Sequence, residues 1–336
     1  MVTNRMKLWN KYHREKFGES WITDSELSFT EEVLYTCLDI YEKREGKSVA
    51  PKKYMEKLFS IADSLSEEVE KAGGTEDAAK ESIKRFIAHE NIPFQRDTYN
   101  LIDILNTIDD EENRNANCLG KTTLFACLSE MIDHNLFSKL RKVSIPSHTF
   151  IRIKDAERDK DIETTAPYNR MERKSERDGV EQEIKFILPA ILYKFYLEVL
   201  DEKILDKILE KYPTFDLALA NKALKSFERN NIFEAEKYID KALEIFPNMP
   251  VYLRIKGDVE YKKGNKRKAR EYYEKAMSSK YANEKIKTVC LENIAKINME
   301  LYLEPMCKGQ YTQYNERCKC DYDQTISGKD LKFWLP

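Results

Sequence analysis

A chain of 336 residues with 35% charged and 41% hydrophobic side chains holds enough apolar material for two or three packed domains, which excludes a low-complexity or disordered polymer. Its 57 Lys+Arg nearly cancel its 59 Asp+Glu, so a formal net charge of −2 supplies no global field for nucleic acid or an anionic membrane. No apolar run approaches the roughly 20 residues of a membrane span, and seven cysteines without a secretion signal read as reduced thiols in a cytoplasmic protein.

The first 50 residues carry scattered aromatics (Trp9, Tyr12, Phe17, Trp21, Tyr41) among many charges and read as a helical extension. From Pro51 the apolar positions Tyr54, Leu58, Ile61, Ala62, Leu65 and Val69 recur at three and four until Gly73-Gly74 stops them. A second helix follows from about Thr75 to His89, with Ala79, Ile83, Phe86 and Ile87 on its apolar face. Tyr99, Leu101, Ile102, Leu105 and Ile108 make a third pattern, which leads into the acidic run Asp109–Glu112, a solvated loop.

The sequence Asn115-Ala-Asn117-Cys118 then opens an apolar helical pattern, in which Leu119, Thr122, Leu124, Ala126, Leu128 and Met131 build a buried helix. Asn before an apolar run is a helix cap, so the Cys118 thiol stands at a helix N-terminus. Free backbone N–H groups and the positive end of the helix dipole there favour a thiolate over a thiol.

Beyond this helix the period changes from about 3.6 to 2. Val143 and Ile145 alternate with polar residues, and Pro146-Ser147 leads into His148–Ile153; a charged turn and then Asp161–Thr165 follow, as in antiparallel β structure. Alternation puts His148, Phe150 and Arg152 on one face and pairs Asp161 with Glu163 on one side of the next strand. A hairpin between them brings one of the two acids beside His148. The charge-dense stretch from Arg170 to Glu183 reads as an exposed connection, and Glu183–Leu188 as a short strand or a helix start interrupted at Pro189.

From about Pro213 a repeat emerges. Ala223, Asn230, Ala235, Ile239 and Ala242 align with Gly257, Gly264, Ala269, Tyr273 and Ala276 at a constant offset of 34, the tetratricopeptide period, with small residues where paired helices approach closely. Helices at 191–209 and 284–303 are expected to cap this array. Its first helices would leave Asn221, Lys225, Arg254 and Asp258 free to line a groove for a protein or peptide.

A cysteine on a helix N-terminus, a histidine on a following strand and an acid on the next give nucleophile, base and orienter in chain order. They are Cys118, His148 and Glu163, with Asp161 as the other acid in register, and an Asn from 115 or 117 would support the oxyanion beside the helix N–H groups. Other signals are weaker. Gly120-Lys121-Thr122 ends like a phosphate loop but lacks its first glycine, which would fall at Asn115. Cys307, Cys318 and Cys320 lack paired zinc spacing, and the basic run Lys262–Lys268 is a solvated helix turn. No metal and no cofactor are expected.

Taken together, Asn117-Cys118-Leu119-Gly120, Pro146-Ser147-His148-Thr149-Phe150-Ile151-Arg152 and Ile162-Glu163-Thr164-Thr165 resemble the transglutaminase-like (papain-like) cysteine hydrolase superfamily. The helices before the cysteine and the repeats behind the acid resemble its SirB-type branch. The resemblance implies an α+β core over 51–188, an all-α repeat domain over 189–303 and an irregular tail over 304–336. It implies a Cys118, His148 and Glu163 triad, with Glu-Thr-Thr where members often carry Asp-Pro. The activity expected is a thiol hydrolase, either peptidase or amidase or transglutaminase-like acyl transferase. The alternative is an inactive scaffold of the same fold that mediates protein–protein interaction.

Overall fold

The computed structural model describes residues 28–174, 179–196 and 202–307. The chain divides after Tyr196 into two units. Sequence reasoning puts the break at Leu188 and residues 1–50 outside the core, whereas the first unit runs to Tyr196 and Phe29–Glu45 packs within it. Helix α1 (Phe29–Glu45) buries Val33, Leu34, Cys37, Leu38 and Ile40 completely and packs within the first unit. It starts with a Ser28/Glu31 capping box and stops at Gly46, whose φ of 66° ends the helix in the left-handed conformation. Residues 1–27 and 308–336 lie outside the described residues, and with them Trp9, Tyr12, Phe17, Trp21 and the tail cysteines Cys318 and Cys320.

Helices α2 (Pro51–Lys71), α3 (Glu76–Ile87) and α4 (Leu101–Thr107) follow the expected apolar periods. All of them pack on α5 (Cys118–Ile132). From Cys118 to Ser129 every residue of α5 is buried. A helix that is apolar all round can be stable only as the centre of a core, and that is its place here. Its far end is tied to α1, because Glu130 accepts the Phe29 and Thr30 N–H groups at 3.0 and 2.7 Å.

After the short helix α6 (His134–Lys139) the chain forms β1 (Leu140–Ile145), β2 (His148–Ile153), β3 (Lys160–Ile162), β4 (Glu172–Lys174) and β5 (Val180–Glu183). These make a five-stranded antiparallel sheet in the order β4-β3-β2-β1-β5. The stretch 170–183, expected as a bare connection, thus supplies both edge strands. Within it Val180 and Gln182 turn inward while Glu181 and Glu183 face out, a two-residue alternation that its dense charge hides. Helix α7 (Ile187–Tyr196) closes the first unit by packing on α1 and α5, and Pro189 sits in its first turn, where no helical N–H is lost. Among the described residues the architecture is α+β, helix-rich with one antiparallel sheet, and no helix is long and apolar enough to cross a membrane.

The second unit is all helix: α8 (Glu202–Lys211), α9 (Asp216–Glu228), α10 (Ile232–Ile245), α11 (Pro250–Lys262), α12 (Lys266–Ser278) and α13 (Glu284–Cys307). Helix α11 begins 34 residues after α9, and α12 34 after α10. Each helix packs on the next, α9 also meets α11, and α11 meets α13. The turn residues Asn230 and Gly264, equivalent in the repeat, both adopt positive φ (61° and 82°).

Gly257 is the tightest point of this stack. A Cβ there would meet the Tyr273 ring at 2.6 Å, and the ring cannot swing away because its hydroxyl donates to Asp258 at 2.7 Å. Alanine is a better helix former than glycine by about 1 kcal/mol, whereas overpacking costs about 1–3 kcal/mol. Gly257→Ala is therefore expected to lower the urea midpoint of the full chain. A rise would contradict the close approach.

Candidate active site

Cys118 occupies the first turn of α5, and Asn117 caps that helix by accepting the Gly120 N–H on Oδ1 at 2.9 Å. The other end of the Asn117 amide donates to the Arg96 carbonyl at 2.8 Å, and its backbone N–H to the Thr98 carbonyl at 2.7 Å. Asn115 is bound in the same loop, accepting from Thr98 Oγ1 at 2.5 Å and donating to the Asn113 carbonyl at 2.7 Å. The expected oxyanion support from Asn115 or Asn117 is thereby corrected: both amides hold the loop that aims α5. In the first turn Gly120 and Lys121 N–H groups are occupied by Asn117, which leaves those of Cys118 and Leu119 as the donors facing the thiol end. Gly120 permits the close packing of this turn, since a Cβ would stand 2.7 Å from Ile104 Cδ1 and 3.0 Å from the Thr98 carbonyl.

His148 begins β2 directly after the Pro146-Ser147 turn, where Ser147 has a φ of 63°, a left-handed conformation that is uncommon outside glycine. Its ring stacks beside Phe150 at 6.1 Å. Nε2 lies 2.8 Å from both Glu163 oxygens, and Cys118 lies close enough to favour the charged ring. With Nε2 taken by the carboxylate, Nδ1 is the ring nitrogen left for sulfur. Burial draws the imidazole pKa down. The hydrogen bonds and charges of Cys118 and Glu163 outweigh it and raise the value from 6.5 to about 9.

Glu163 follows β3 and is itself fixed, with its N–H donating to the Met171 carbonyl at 2.6 Å and Thr165 Oγ1 donating to Oε1 at 2.9 Å. Thr164, between them, meets Thr122 of α5 at 3.3 Å and so ties the acid turn to the cysteine helix. Asp161 is elsewhere. Strand register sets Asp161 opposite Arg152 and Ile162 opposite Ile151, so the next residue on the same face, Glu163, advances toward His148. Asp161 instead holds Arg152 through both oxygens at 2.7 and 3.1 Å, while Glu181 meets the same guanidinium at 3.1 Å. The alternative of Asp161 as orienter is thereby corrected: it is a structural anchor of β2 on β3.

Two lysines near the site carry no motif spacing. Lys194 of α7 lies over the Tyr99 ring at 5.2 Å and within the field of Cys118; burial lowers its pKa, with Cys118 and Asp97 opposing. Lys121, one turn beyond Cys118, is completely buried. Its signal in the sequence is composition: a lone cation in the otherwise uncharged stretch Cys118–Ser129. The phosphate-loop likeness of Gly120-Lys121-Thr122 ends here, since these residues lie within α5 and have no solvent-facing loop.

The proposed groove residues of the second unit are mostly inside it. Arg254 is paired with Asp258 at 3.0 Å, Asp258 receives the Tyr273 hydroxyl, and Asn221 donates to the Leu217 carbonyl. All three are buried, and only Lys225 stays half-exposed. The reason is that α11 packs against α9, α10, α12 and α13, so these polar side chains lie in a buried network.

No family model matches the chain, and no curated protein matches it in sequence. Among solved structures it is similar to the crystal structure of menin that reveals the binding site for Mixed Lineage Leukemia (MLL) protein. The TM-score is 0.52 at 10% identity, covering 88% of this chain and 74% of menin. At that identity the likeness bears on the fold alone.

Proposed function

We propose that the chain is a cytoplasmic thiol hydrolase of the transglutaminase-like class, with Cys118 as nucleophile, His148 as base and then acid, and Glu163 as orienter. The observation that carries this reading is the His148–Glu163 pair beside Cys118 at the N-terminus of a buried helix. In the reaction, Cys118 Sγ attacks an amide or ester carbonyl and its proton resides on His148. The Cys118 and Leu119 N–H groups face the developing oxyanion. The carbon–nitrogen or carbon–oxygen bond breaks as the imidazolium protonates the leaving group, giving a thioester. Water then attacks that carbonyl with His148 as base, the carbon–sulfur bond breaks, and the proton returns to sulfur. An amine in place of water would make the same step an acyl transfer. The helices from Asp216 to Ser278, with their 34-residue offset, are proposed to be tetratricopeptide units that receive a protein or peptide.

A second reading is favoured by one observation: Cys118 is only 3% exposed. On that reading the core is an inactive lobe of a protein-binding scaffold, as would suit the likeness to menin, a protein described with a binding site for a partner. Turnover of a p-nitrophenyl ester across pH separates the two. The hydrolase reading expects a burst of p-nitrophenol and an acid group whose loss, as pH rises through about 9, lowers acyl transfer to the enzyme; absence of both in the wild type supports the scaffold.

A further inference from the structure

Lys121 is 0% exposed, and its Nζ has no hydrogen-bond partner among the described residues. A buried, unpaired ammonium is among the costlier features a core can hold, and a leucine or methionine at this helix position would avoid the cost. The charged groups that face it are Glu163, from the turn after β3, and Glu90, from the segment after α3. His89 stands beside Glu90, and His148 beyond Glu163. The Glu163 carboxylate therefore acts on two cations: the imidazolium it contacts and, at longer range, the buried ammonium of Lys121, whose neighbour Thr122 meets Thr164 at 3.3 Å.

We propose, resting on the hydrolase reading above, that Lys121 is a positioning residue that shares the Glu163 charge and so limits how tightly Glu163 holds the His148 proton. The physical need is specific to a base that must also act as acid. A buried carboxylate with a single counter-ion would lock His148 as imidazolium, ready to pair with a thiolate but unable to accept a proton from water in the second half of the reaction. A second cation beside the carboxylate loosens that grip. Burial lowers the Lys121 pKa from 10.5 to about 8, with Glu90 and Glu163 opposing the fall, so the ammonium is present at neutral pH and leaves as pH rises through about 8. His148 then becomes harder to deprotonate over the range in which the base is needed.

The test is the His148 ring titration by NMR in the full chain, where only 4 histidines must be assigned, compared between the wild type and Lys121→Met. The proposal expects the His148 pKa to rise by about one unit and ester turnover at neutral pH to fall about tenfold, with Lys121→Arg close to the wild type where it folds. An unmoved His148 titration in folded Lys121→Met overturns it. If Lys121→Met does not fold, the Lys121 ε-methylene titration in Glu163→Gln decides: a lower Lys121 pKa supports the coupling, and an unchanged one overturns it. Iodoacetamide labelling of wild-type Cys118 separates this from the hydrolase reading. A sluggish Cys118 with a mobile His148 titration would sink the enzyme and keep the electrostatic coupling. A reactive Cys118 with a fixed His148 titration would do the reverse.

Discussion

Substituting Cys118 by Ser, or His148 by Asn, is expected to reduce ester turnover by about 10⁴-fold or more, and the double variant should lose little beyond either single one. Residues that act as a unit show this non-additivity, because once the nucleophile is gone the base has nothing to activate. Both substitutions are small. Cys118→Ser keeps the volume of the first helical turn, and His148→Asn keeps a hydrogen-bonding group at the start of β2, so circular dichroism should stay near that of the wild type, while His148→Asn lowers the melting temperature at pH 6 by loss of the pair with Glu163. The remaining described cysteines, Cys37, Cys127 and Cys290, are fully buried, and burial pushes the Cys37 and Cys290 thiols up to about 12, so none of them can take over the role. Turnover that survives in Cys118→Ser would assign the chemistry to another group.

Exchanging the two acids is expected to separate catalysis from stability. Glu163→Gln removes the charge that orients His148 while preserving shape, and turnover should fall about 10²–10⁴-fold with the fold intact. The linkage has a definite sign. The folded-state pKa of His148 is raised, so the pair contributes stability fully below about pH 6.5 and loses it as pH rises through about 9; Glu163→Gln should therefore destabilise the protein more at pH 6 than at pH 10. Asp161→Asn should do the opposite of Glu163→Gln in kind. It breaks a bidentate pair with a 10%-exposed Arg152 side chain, which keeps its contact with Glu181. Removing one partner of such a pair costs about 3–5 kcal/mol, while the imidazole keeps its own carboxylate. A variant Asp161→Asn that folds normally and loses turnover would show that the strand register assigned to β3 is wrong.

The Cys118 helix, its Asn117 cap and the β2–β3 hairpin are legible in the sequence because local rules set them: an Asn cap before an apolar run, and a two-residue alternation through His148–Ile153. The choice between Glu163 and Asp161 is not. Both lie on one face of a strand, and only the pairing of Arg152 with Asp161 decides which acid advances to His148, a long-range fact that periodicity does not carry. The same holds for Asn115 and Asn117, whose amides are taken up by partners at Thr98 and Arg96, 17 and 21 residues away in the chain. Arg254 and Asp258 read as groove residues because charge ordinarily marks a surface. Their burial follows from the packing of α9, α10, α12 and α13 around α11, where an ion pair and the Tyr273 hydroxyl satisfy groups that would otherwise face water. Strands β4 and β5 are hidden for a related reason, since edge strands of a sheet tolerate the charge density that otherwise marks a loop.

The central claim, that Cys118 and His148 form a reactive pair, is tested most directly by peptide-mapped iodoacetamide labelling of the full chain from pH 5 to pH 9. Cys118 is expected to be modified at least about tenfold faster than any other cysteine at pH 6, with His148→Asn removing this advantage and Lys121→Met retaining it. Equal, slow labelling of all cysteines at pH 6, with Cys118 rising only as an ordinary thiol ionises near pH ~8.5, would contradict it.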